Sequence, residues 1–175
     1  MNRRDTIIEA YRNSPNKTKD NHFQGLTKVI EDLLEGTDYY LKKGSVTEGV
    51  NRKKRWDYPI YDNLSHKLVA VIEAKSNSGS KNFNNRLEEA VGNAAMNKKI
   101  YPSIKRGYFM ILDHEENENG LKISKRWEQS FEEFLDDYDA LCLIREKFQS
   151  PEHPKFNLSN FFKRLGLQTQ DDESK

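Results

Sequence analysis

Arg55-Trp56-Asp57-Tyr58-Pro59-Ile60-Tyr61, followed across a polar connector by Leu68-Val69-Ala70-Val71-Ile72-Glu73-Ala74-Lys75, is the stretch on which the fold turns. The first run ends at the turn-forming Asp62-Asn63 and the second is β-rich and apolar until Glu73, so the pair predicts adjacent strands of a hairpin. Side chains alternate along a strand, which puts Glu73 and Lys75 on one side and turns Ala74 away. Pairing of the first strand can bring Asp57 opposite them. Two carboxylates able to hold a hard divalent cation, with an ammonium two residues on, suit metal-assisted phosphodiester hydrolysis.

Outward from that hairpin, the 175 residues suffice for one domain with a real core, expected over 1–166 and followed by a polar tail, 167–175. Charged residues make up 33% and the hydrophobic set 35%, but 9 Phe, 8 Tyr and 2 Trp supply enough apolar bulk to argue against disorder. The net charge of +1 gives no global basic signal for a nucleic-acid partner, so its distribution matters more. Lys42-Lys43 and Arg52-Lys53-Lys54-Arg55 gather positive charge just ahead of the Asp57 strand, whereas acids collect at 114–118, 132–139 and 171–173. A polyanion is drawn to the first region and repelled by the others. The lone cysteine, Cys142, lies in an apolar run and reads as a small buried hydrophobe, which fits a reducing cytoplasm. No leader-like apolar region follows the N-terminus and no run nears membrane-span length, so a cytoplasmic protein with no membrane partner is expected.

Around the hairpin the chain alternates helix and strand. Residues 5–12 predict a short helix. A second, amphipathic helix runs from near Asp20 through Phe23, Leu26, Val29, Ile30, Leu33 and Leu34 to a stop at Gly36. Glu31 on its polar flank is a possible auxiliary acid if that helix packs beside the hairpin, and a solvated surface acid otherwise. A strand is expected near 39–42. The polar loop 76–85 offers Lys81, Asn82, Asn84 and Asn85, residue types that contact phosphates and base edges, although such loops often merely connect. Asn85 is the expected cap of a helix with the stripe Leu87, Ala90, Val91, Ala94 and Ala95, leaving Arg86 and Glu89 to solvent or the site's edge. A central strand is expected at 107–112 and an acidic loop at 114–120. Next come a helix capped by Ser124, a strand at 140–144, and a last helix at 157–165 whose stripe serves the core or a dimer contact.

Alone, Asp…Glu-x-Lys is a weak pattern in so charged a chain, and a Glu–Lys pair at a sheet edge is its structural alternative. The surrounding residues add to it. Gly49-Val50-Asn51-Arg52-Lys53-Lys54-Arg55-Trp56-Asp57, Leu68 to Ser76, and Asn82-Phe83-Asn84-Asn85-Arg86-Leu87-Glu88-Glu89-Ala90-Val91-Gly92 together resemble the PD-(D/E)XK nuclease superfamily. Within it they are similar to XhoI-type Type II restriction endonucleases, with Trp56-Asp57 in place of Pro-Asp. Strands 107–114 and 138–144 are similar in kind, and the third segment is the most specific. The resemblance implies an α/β fold with a restriction-endonuclease-like mixed central β-sheet flanked by helices. It implies Mg²⁺-dependent, site-specific hydrolysis of double-stranded DNA by a homodimer, with no small-molecule cofactor. Asp57, Glu73 and the Ala74 carbonyl are the implied metal ligands, and Lys75 completes the catalytic set. Lys53, Lys54 and Arg55 are candidate phosphate grips, and Lys81, Asn82, Asn84, Asn85 and Arg86 candidate DNA contacts. A repair or junction-resolving nuclease of the same fold, or a non-catalytic DNA-binding protein on this scaffold, is the rival expectation.

Overall fold

The computed structural model describes residues 2–14, 23–43, 46–49, 52–77 and 83–167, with the backbone only at 46–49 and 52–54. Five strands form one mixed sheet in the order β1 (Tyr39–Leu41), β4 (Tyr58–Asp62), β5 (Leu68–Asn77), β6 (Lys105–Glu115), β7 (Ala140–Lys147). Its first three strands are antiparallel neighbours: a short turn joins β4 to β5, and a segment that carries a two-stranded ribbon lies between β1 and β4. The last two run parallel to β5, because each follows a helical crossover. Those crossovers are α3 (Phe83–Ile100) and α4 (Glu118–Phe134), on one face of the sheet. α1 (Arg3–Arg12), α2 (Gln24–Leu34) and α5 (Leu158–Leu165) cover the other. β2 (Val46–Gly49) and β3 (Arg52–Arg55) pair as a separate ribbon.

Strand alternation divides β5 between two environments. Ala70, Ile72 and Ala74 join Phe109, Ile111, Cys142 and Ile144 in the core beneath α1, α2 and α5. Glu73 and Lys75 lie on the opposite face with Tyr108 and Met110, their register partners on β6. Cys142 is fully buried and in no disulfide, as its apolar setting suggests. The first core is apolar and close-packed over most of its extent, with Asp113 and Glu146 buried at the margin where Tyr11 and Arg12 reach them. A Cβ at Gly25 would meet Thr6 O at 2.6 Å and Ile7 Cα at 2.7 Å, so α2 crosses α1 at a separation only glycine permits. Leu158, Phe161, Phe162 and Leu165 of α5 are buried in this same core, which settles their stripe as intramolecular packing.

Several expected boundaries move, each for a local reason. The run 55–61 is not one strand: Arg55 pairs with Val46 in the ribbon, and Trp56 leaves the ladder to bury its indole against Val71 and Ile104. α3 begins at Phe83, not after an Asn85 cap, because Phe83 is itself a core residue with its ring 4.6 Å from Trp127. The stripe of α3 also differs: Val91 and Ala95 are exposed, while Asn93 and Asn97 are buried beside Ala90 and Ala94. Ser124 caps nothing. α4 starts at Glu118 in the expected acidic loop, where the Asn117 side chain accepts from Gly120 N, and Ser124 is buried within the helix.

Candidate active site

β4 pairs with β5 only as far as Tyr58–Ile72. One position further Asp57 comes opposite Glu73, and its Oδ2 accepts a hydrogen bond from Ala74 N at 3.1 Å. A residue's N–H and C=O leave an extended strand on the same edge, so the Ala74 carbonyl also faces the Asp57 side. The residue just before β4 thus sets its carboxylate on the Ala74 backbone, flanked along β5 by Glu73 and Lys75. Asp57 is half-exposed, whereas Glu73 and Lys75 are 2% and 8% exposed beneath α3.

A charge so buried needs partners, since isolation there costs several kcal/mol. α3 supplies two of them. Asn93 Nδ2 donates to Glu73 Oε2 at 3.4 Å, and one turn earlier Glu89 Oε1 lies 3.4 Å from Lys75 Nζ. Tyr138, on the approach to β7, places its hydroxyl 3.4 Å from the same Glu73 oxygen and 3.3 Å from Ala90 O. A phenol has one hydrogen to give, so these two acceptors share it. Tyr108, level with Glu73 on β6, stacks obliquely on Tyr138 at 5.3 Å. Burial, then the negative charge of Glu73, pushes both phenols above their ordinary range. Near neutral pH both phenols are therefore uncharged, and the Tyr138 hydroxyl is the one that donates to Glu73.

Of the other expected site residues, some reach this region and some do not. Arg86 is half-buried and close enough to Tyr108 to oppose its upward shift. Asn84 and Asn85 are exposed in the first turn of α3, and Arg55 is exposed at the end of the ribbon. Lys53 and Lys54 take positions on β3, while Lys81 and Asn82 fall outside the described residues. Glu31 is not brought to the site. It is exposed beside Tyr39, Tyr40 and Leu41, on a helix that packs against the opposite face of the sheet. Its alternative role as a solvated acid is the one the fold gives it.

Sequence reasoning missed Asn93 and Tyr138 as partners of Glu73, and Tyr108 as its neighbour on β6. A signal existed for the first: Asn93 lies one turn from Glu89 and interrupts an otherwise small apolar stripe. Among the described residues no group of three or more His, Cys, Asp or Glu is placed to hold an ion together. Asp57 and Glu73 are a pair with a carbonyl beside them. That donor set fits Mg²⁺, which prefers oxygen, keeps several waters and needs only one or two carboxylates. No family model and no curated protein matches the chain. No helix among the described residues is long and apolar enough to cross a membrane.

Proposed function

We propose that this chain is a Mg²⁺-dependent endonuclease that cuts double-stranded DNA at specific sequences, on a restriction-endonuclease-like sheet. The observation that carries the reading is the seat of the Asp57 carboxylate, just ahead of β4, on Ala74 N between Glu73 and Lys75 on β5. Two acids and an amine from separate sequence positions near one another support the nuclease reading. The mixed sheet flanked by helices on both faces supports the same reading.

Asp57, Glu73 and the Ala74 carbonyl would hold the ion. When bound it polarises the scissile phosphate and makes a coordinated water a better nucleophile. Lys75 supplies a positive charge beside the developing negative charge, in a site largely shielded from water, where such charge acts strongly. Glu89 orients the Lys75 ammonium, and Asn93 and Tyr138 orient Glu73. A homodimer acting on both strands of a palindrome belongs to the same proposal. Its interface cannot use the α5 stripe, which is buried within the chain.

Incubation with phage DNA and Mg²⁺ tests the reading. Discrete, reproducible fragments are expected, and Lys75→Ala should abolish them while retaining binding. A smear, or cutting confined to junctions, would move the protein to a shape-reading nuclease. A second reading rests on burial: with Glu73 and Lys75 so enclosed, the same scaffold could bind DNA without cutting it. It requires Lys75→Ala to leave every activity unchanged.

A further inference from the structure

Outside the acid-and-amine cluster, one exposed cation is held unusually firmly. Arg126 projects from α4 with its guanidinium carbon 3.7 Å from the centroid of the Phe83 ring, and its Nη2 donates to Asn84 Oδ1 at 2.9 Å. Phe83 is fixed from below by Trp127, so the stack rests on core. Several exposed lysines face carboxylates, Lys122 with Glu118, Lys98 with Asp137 and Lys155 with Glu132. Among the described residues no carboxylate pairs with Arg126. An ordered, solvent-facing guanidinium whose held partners are an aromatic ring and a neutral amide keeps its charge available to an external anion. Little ordering would remain to be done when that anion arrives.

Its position names the anion. α3 holds Arg126 through Asn84 in its first turn and carries Glu89 to Lys75, so Arg126 is anchored about one and a half helical turns from the site along α3. We infer that Arg126 is a backbone-phosphate contact for duplex DNA, with Asn84 and Phe83 as its positioning residues; this rests on the nuclease reading above. The guanidinium takes a phosphate oxygen flanking the cut strand. Asn84 is then engaged in holding Arg126 through its carbonyl oxygen, a different role from the base reading its residue type first suggested.

Binding of duplex DNA by the full chain in EDTA, where no strand is cut, tests this across a series of salt concentrations. Arg126→Ala should weaken binding about tenfold, equally for unrelated sequences, and lower the slope of log affinity against log salt by about 0.9. Arg126→Lys should recover the slope but only part of the affinity, since it keeps the charge and loses the planar fork. Thermal melting confirms that both variants fold. Unchanged affinity and slope in Arg126→Ala, with wild type binding normally, would overturn the contact alone. Loss confined to one sequence would overturn its assignment to phosphate, and failure of wild type to bind any duplex would overturn the nuclease reading with it.

Discussion

The two faces of β5 are built from the same ten residues and obey opposite rules. Toward α1, α2 and α5 it presents Ala70, Ile72 and Ala74 to apolar side chains, among which Phe109, Phe161 and Phe162 interlock edge to face. Toward α3 it presents Glu73 and Lys75 to Glu89, Asn93, Tyr108 and Tyr138. Burial on the first face is repaid by removing apolar area from water. On the second it is tolerable only because each charge has partners. The difference teaches that apolar packing and paired buried charge are divided across one strand's thickness.

Substitutions on the two faces should therefore separate. Phe161→Ala, in the apolar core, is expected to destabilise by about 3–5 kcal/mol in denaturant titration while leaving the site's chemistry intact in whatever fraction folds. Lys75→Ala on the other face should lower the rate of DNA cleavage by about 10²–10³-fold, measured at saturating Mg²⁺. If both variants lost activity only in proportion to lost folding, the division would be false. Tyr138→Phe removes one donor from Glu73, with an expected stability loss of about 1 kcal/mol. It should also raise the Mg²⁺ concentration needed for half-maximal cleavage, a shift that a purely structural hydroxyl would not produce.

The smallest effect concerns His153, stacked on Phe156 at 5.1 Å against the α4 core. Burial lowers its pKa despite Glu128 3.3 Å away, and its Nδ1 accepts from Lys155 N and Phe156 N, which requires that nitrogen unprotonated. A histidine with a depressed folded value contributes stability that is present above its ordinary value, about 6.5, and is lost as pH falls below it. Melting temperature should thus drop between pH 7 and 5 more steeply in wild type than in His153→Gln.

Much of this was legible in the sequence, for identifiable reasons. The hairpin that sets Asp57 beside the Glu73-Ala74 stretch followed from two apolar runs around a turn, and the α2 and α5 stripes from their helical period. What was hidden depended on contacts distant in sequence. Trp56 breaks its strand because Val71 and Ile104 offer an apolar seat, and nothing in 55–61 reports that. Asn117 was an available cap signal concealed by acids that read as loop. Tyr138, 65 residues from Glu73, could not be assigned to it before the parallel strands were aligned.

The change from antiparallel to parallel pairing at β5 has a consequence for how the molecule assembles. Asp57 meets Glu73 through a hairpin that can close early, because few residues separate its strands. Asn93 and Tyr138 arrive only after two long excursions of the chain have docked. Loop length alone therefore makes the seating of Asp57 on Ala74 a local step, and the enclosure of Glu73 by α3 and Tyr138 a long-range one.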